Sequence, residues 1–147
     1  DHKGALLTIN DRVNGMLKMR KIEAKEAVLV EAAAIEMLQD WKAFLKTITS
    51  DNGKEFARHK NIATALEIDY YFAKPYHSWE RGANENLNGL VRQYFPKGTS
   101  FEEITEQQVK DAQEALNTRP RKRFNFQSPQ EIFNQQINNL GEVAFIT

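Results

Sequence analysis

An α/β domain with a mixed sheet and a helical C-terminal end is the fold class this sequence predicts, and three observations carry it. Two short β-compatible runs flank an Asn-Gly turn near the start, a stretch without Gly or Pro follows, and strand and helix then alternate before a helical last third. ALLTIN (5–10) and MLKMRKI (16–22) are the two runs, and Asn14-Gly15 between them is a strong hairpin dipeptide. Residues 24–45 are rich in Ala, Leu, Glu and Lys and predict one long helix, apolar over much of its circumference and so packed on the sheet. KTITS (46–50) is a β-branched strand that ends in Asp51-Asn52-Gly53. Phe56, Ile62, Ala63 and Leu66 mark a less regular helix, DYYFA (69–73) a strand, and AKPYHS (73–78) a loop holding Pro75. A helix is predicted over 78–95. Another carries Ile104, Val109, Ala112 and Leu116, with Thr105 as its N-cap and a stop near Arg119-Pro120. Ser128-Pro129-Gln130-Glu131 is a capping box that opens a last helix through Ile132, Phe133 and Ile137. Residues 141–147 carry no assignment. The expected organisation is a single domain over 1–138 and a C-terminal tail over 139–147.

Composition limits the function classes. With 147 residues, 41% hydrophobic and 27% charged, the chain suits one domain able to bury a core. It has no cysteine, which excludes disulfide frameworks and thiolate zinc sites, and no long apolar run suggests a signal peptide or membrane span. A reducing, aqueous compartment fits. Twenty basic residues balance twenty acidic ones, so any nucleic-acid contact must be local rather than spread over a basic surface.

Within 78–95 one stripe is unusual. Arg81, Glu85, Asn88 and Arg92 are spaced by four, three and four residues and share a narrow helical face, while Ala83, Leu87, Leu90, Val91 and Tyr94 lie on the other. A solvated polar face and ordinary helix-surface pairs account for the charges. They do not account for Asn84, Asn86 and Asn88, which are poor interior helix residues where a scaffold would carry Glu, Lys or Gln. Asp51 is the second candidate. Asp-Asn-Gly is common as a plain hairpin turn, but here a helix-like segment follows, so Asp51 lies where the carboxyl end of a strand gives way to a crossover. Carboxylates from these two places can converge on a hard cation such as Mg²⁺.

These residues carry a resemblance. Asp51-Asn52-Gly53 with Phe56, followed by Gly82-x-x-Glu85-x-x-Asn88 with 33 positions (52–84) between Asp51 and Glu85, resembles the last two acidic residues of the DDE transposases and retroviral integrases. YFAKPYHSWERGANENLNGLVRQYFPKGTSF (71–101) and NTRPRKRFNFQSPQEIF (117–133) bring it nearest to the bacterial insertion-sequence family numbered thirty, over nearly the whole chain. The resemblance implies a ribonuclease-H-like fold, a five-stranded mixed sheet flanked by helices. It implies metal-dependent DNA strand cleavage and strand transfer at insertion-sequence ends, with two ions, Mg²⁺ or Mn²⁺, held by three carboxylates. Asp51 and Glu85 would be the second and third of these. Arg81 and Arg92 would meet transposon-end phosphates, and Asn88 would orient Glu85 or touch DNA. The implied partners are terminal-repeat and target DNA and a second copy of the protein, or more, in the bacterial cytoplasm at the nucleoid.

The first acid departs from the pattern. In the family it lies on a strand before the hairpin; Asp1 is too close to the turn, and Asp11 beside Arg12 reads as an ion-paired or turn residue. The expectation is a fragment of a longer transposase, without its first catalytic strand and inactive by itself. Two other readings stay open: a non-catalytic ribonuclease-H-like module that binds DNA or protein, and a nuclease of the same fold. His59 and His77 read as surface or loop residues, because hard cations prefer oxygen. Tyr76 and Trp79 either stack on an unpaired base or anchor their loop. Arg119, Arg121, Lys122 and Arg123 are either a solvated turn or a grip on the DNA backbone.

Overall fold

The hairpin forms where the Asn-Gly signal places it. In the computed structural model, which describes residues 4–74 and 86–146, β1 (Ala5–Asn10) and β2 (Leu17–Ile22) make a two-stranded sheet. Residues 11–16 join them, too short a link for a parallel crossover, so the pair is antiparallel. Asp11 shapes the turn: its Oδ1 accepts the Val13 and Asn14 N–H groups at 2.8 and 3.1 Å. Gly15 takes φ +79, and a Cβ there would sit 2.7 Å from the Phe124 ring, so backbone and packing both require glycine.

The chain divides into two compact units, 1–7 with 20–106 and 8–19 with 107–147, and the hairpin contributes to both. In the first, α1 (Ala27–Met37) buries Val30, Ala33, Ala34 and Met37. It is shorter than the predicted helix over 24–45. Leu38 leaves helical geometry at φ −99, ψ 4, and the 3₁₀ turn Gln39–Trp41 follows. The tighter pitch brings residues three apart into line, which lets Leu38 and Trp41 both turn inward, and both are buried. Tertiary packing thus overrides helix propensity.

β3 (Thr47–Ser50) and β4 (Asp69–Phe72) pair in parallel, from Thr47 opposite Asp69 to Ser50 opposite Phe72. The crossover between them contains the 3₁₀ turn Lys54–Phe56 and α2 (His59–Leu66), which buries Ile62 and Leu66 and packs on α1. Arg58 at the start of α2 pairs with Glu31 of α1, and Arg20 pairs with Glu36 at 3.0 Å. Each pair reaches solvent and contributes no more than about 1 kcal/mol. The described strands number four, in two sheets of opposite sense. Residues 86–92, here α3, are helical with Leu87, Leu90 and Val91 half-buried and Asn86, Asn88 and Arg92 exposed; the helix ends short of the predicted residue 95, and Tyr94, expected on the apolar face, is 37% exposed.

The second unit is built on α4 (Glu106–Asn117) and α5 (Pro129–Ile146). α4 starts one residue after Thr105 and buries Val109, Ala112 and Leu116, as the periodicity predicts. It also seals the outer edge of β2. Asn117 Oδ1 accepts the Leu17 N–H, Asn117 Nδ2 donates to the Leu17 carbonyl, both at 2.8 Å, and Gln113 Oε1 accepts the Met19 N–H at 2.7 Å. The geometry follows from two repeats: four helical residues rise about 6 Å and two strand residues about 6.7 Å, so side chains four apart on α4 match N–H groups two apart on β2.

The capping box forms as expected. Ser128 Oγ accepts the Glu131 N–H at 3.2 Å, and Glu131 Oε2 accepts the Ser128 N–H at 3.4 Å. Ser128→Ala is expected to lower stability by about 1 kcal/mol, a melting-temperature drop of roughly 3 °C by differential scanning calorimetry. α5 runs on to Ile146, through residues the sequence left unassigned; Gly141 alone costs a helix only about 1 kcal/mol.

Candidate functional site

Asp51 follows β3 directly, at the carboxyl end of the parallel pair, where ligand sites of open α/β sheets gather. It is exposed, and its Oδ1 accepts the Gly53 N–H at 2.9 Å, folding Asp-Asn-Gly into an Asx turn. Gly53 then precedes the 3₁₀ turn, and its missing side chain leaves room for the Glu55 carboxylate: a Cβ on Gly53 would lie 2.5 Å from Glu55 Oε2.

A short hydrogen-bonded chain fixes the strand end beneath these acids. The Tyr70 hydroxyl donates to Ser50 Oγ at 2.8 Å, and Ser50 Oγ donates to the Asp51 carbonyl at 2.9 Å. Burial pushes the Tyr70 pKa up; the Ser50 hydrogen bond opposes this, and the charges of Asp51 and Glu55 add to the rise. The phenol therefore stays neutral and keeps its proton for donation. His59 has a packing role: its Nδ1–H donates to the Phe56 carbonyl at 3.0 Å, and its ring lies edge-on to Phe72 at 4.8 Å and tilted to Tyr70 at 5.4 Å.

Glu85 and Arg81 lie outside the described residues, as do Asp1, Tyr76, His77 and Trp79. Asn88 and Arg92 of the same stripe are exposed on α3. Asp11 holds two N–H groups in the hairpin turn, the structural role its position suggests. In the basic run, Lys122 is exposed and Arg119 half-buried. Arg123 Nη2 donates to the Arg12 carbonyl at 2.9 Å while its guanidinium stacks on Phe124 at 4.3 Å. Arg121 Nε is buried without a hydrogen-bond partner among the described residues.

Sequence reasoning passed over Tyr70, Ser50 and Glu55. The alternation in DYYFA does place Tyr70 and Phe72 on one face, but only the parallel register brings Tyr70 to Ser50. The donors suit a hard divalent cation in kind, since they are carboxylate oxygens in a chain without thiols. Among the described residues no group of three or more His, Asp or Glu side chains is placed to hold a metal.

No family model matches the chain. It is 55% identical over 145 residues to the transposase for insertion sequence element IS4351 of Bacteroides fragilis, covering 99% of this chain and 44% of that protein. It is 35% identical over 133 residues to transposase InsI for insertion sequence element IS30C of Escherichia coli strain K12, covering 90% of this chain and 35% of that one. The chain thus spans less than half the length of these curated relatives. Its fold matches the catalytic core domain of BIV integrase with a TM-score of 0.72 at 20% identity, over 91% of this chain and 88% of that domain. In sequence the chain is thus similar to insertion-sequence transposases of the IS30 and IS4351 type, and its fold is that of an integrase catalytic core.

Proposed function

We propose that this chain forms the DNA strand-transfer core of an insertion-sequence transposase, with Asp51 and Glu85 as two of its metal-binding carboxylates. The observation that carries the reading is Asp51, exposed in its Asx turn at the carboxyl end of a parallel strand pair, in a fold shared with an integrase core. In sequence Glu85 lies three residues before Asn88, which is exposed on α3 together with Arg92.

Asp51, Glu85 and a third carboxylate that the resemblance implies would hold two divalent ions, Mg²⁺ or Mn²⁺, which would supply Lewis acidity to phosphoryl transfer when bound. The chain's own groups position the reaction. The Asx turn holds the Asp51 carboxylate, and the Tyr70–Ser50 hydrogen bonds hold its backbone. Arg81 and Arg92 bind phosphates of the transposon end, Asn88 orients Glu85 or contacts DNA, and Arg119, Arg121, Lys122 and Arg123 grip the backbone further along. Bringing two ends together requires a homodimer or larger assembly, working on the nucleoid in the bacterial cytoplasm. Among the described residues no helix is long and apolar enough to cross a membrane.

The test is a transposase containing this chain, incubated with Mg²⁺ or Mn²⁺ and duplexes bearing the terminal repeats. Cleavage at the 3′ ends and joined products are expected, and both are lost in Glu85→Gln. Both activities surviving in that variant would remove Glu85 from the site, and cleavage without joining would favour a nuclease.

A further inference from the structure

Phe126 stands 68% exposed just after the basic run, and its backbone has φ +66. Bulky side chains avoid that left-handed region; Asn125 before it has φ 56, a conformation that Asn tolerates more readily. Glycine would take the same φ without strain, so the backbone gives no reason for an aromatic residue here.

The loop is nevertheless closed tightly around it. The Phe126 N–H donates to the Arg121 carbonyl at 2.8 Å, the Gln127 N–H to that of Phe124 at 3.1 Å, and the Arg121 N–H to that of Gln127 at 3.0 Å. Phe124 fills the space over Gly15, and Arg123 bonds to the Arg12 carbonyl, so the loop is docked on the hairpin turn of its own unit. Such over-determined strain marks functional positions.

The surroundings select the partner. Four of the five residues 119–123 are basic, and no acid occurs between Glu114 and Glu131. The Arg121 guanidinium, its Nε buried without a hydrogen-bond partner among the described residues, has its pKa lowered by burial and then by the charges of Arg123 and Arg119. An anion close by relieves that repulsion. An apolar protein surface over Phe126 would cover these cations without neutralising them, whereas a nucleic acid offers phosphates and aromatic faces together.

We propose that residues 119–127 form a stacking site for an unpaired base, with Phe126 against the base and Arg119, Arg121 and Lys122 on the flanking phosphates. The site rests on the reading of the basic run as DNA-facing and adds a preference for frayed or branched DNA over intact duplex.

The test titrates the 147-residue chain with an intact duplex and with the same duplex ending in a fork that carries 2-aminopurine at an unpaired position. Anisotropy is expected to show about tenfold tighter binding to the fork, and 2-aminopurine emission is expected to fall on stacking. Phe126→Gly, which relieves the strained φ and so keeps or raises the melting temperature, brings the fork-to-duplex ratio to about one and abolishes the quench. Phe126→Trp retains both. Arg121→Gln combined with Lys122→Gln weakens binding to both DNAs and lowers the salt slope by about two. An unchanged fork preference in Phe126→Gly overturns the proposal, as does a change from dimer to monomer in sedimentation, which would assign Phe126 to a contact between copies. Equal binding of fork and duplex by the unaltered chain, with the salt slope still falling in the charge variant, overturns the stacking site alone. Binding to neither DNA overturns it together with the DNA-facing reading of the run.

Discussion

Asp51→Asn is expected to leave thermal stability within about 0.5 kcal/mol of the unaltered protein. In a transposase carrying this chain, the same change should lower metal-dependent strand cleavage by roughly 10²–10³-fold or more, the loss typical of removing one preorganised electrostatic contact. The two effects separate because the proposed metal ligand also builds a turn. Its Oδ1 accepts the Gly53 N–H at 2.9 Å, and an asparagine oxygen in the same position keeps that hydrogen bond and the turn. What disappears is the negative charge that a hard cation requires. Asp51 is exposed, so no desolvation is gained in exchange. Asp51→Ala, by contrast, removes turn and charge together and confounds the two. Calorimetry alongside cleavage of a terminal-repeat duplex in Mg²⁺ reads both quantities. Cleavage at the unaltered rate in Asp51→Asn would show that the carboxylate only builds the turn.

How much of this was legible depended on how local each signal was. Asn14-Gly15, the β-branched KTITS run and the Ser128–Glu131 capping box each specify geometry within a few residues, and each forms as the chemistry requires. The end of α1 was not legible, because nothing between residues 37 and 42 breaks a helix; Leu38 and Trp41 leave it to reach a core that the local sequence does not encode. The necessity of Gly15 was half legible. Its positive φ follows from the dipeptide, but the Phe124 ring over it comes from the other end of the chain. At the candidate site Asp51 was visible from its place after a strand, whereas Tyr70 reaches Ser50 only through the parallel register. Of the three asparagines singled out around Glu85, those at positions 86 and 88 are exposed, so burial does not explain their choice.

The second large effect concerns the fold rather than the chemistry. Asn117→Ala is expected to destabilise the protein by about 2–6 kcal/mol, since it strands two backbone groups at about 1–3 kcal/mol each. Leu17 is 1% exposed and Asn117 5%, so water does not replace the lost side chain without opening the unit. Against a typical total of about 5–15 kcal/mol, that loss is a large fraction of the stability and should appear in the urea midpoint. Asn117→Asp tests the cause more closely. A carboxylate still accepts the Leu17 N–H but sets its second oxygen against the Leu17 carbonyl, where the amide now donates. A protonated carboxyl can donate there, so folding raises the pKa of the introduced group above its unfolded value. By linkage its contribution is present below the unfolded pKa and is lost as pH rises through the folded one. Relative to the unaltered protein at the same pH, Asn117→Asp should therefore be less destabilised at about pH 4 than at about pH 8. A pH-independent deficit would mean that the amide fills space at the β2 edge without bridging it, and the register between α4 and β2 would then rest on Gln113 and the buried Val109, Ala112 and Leu116.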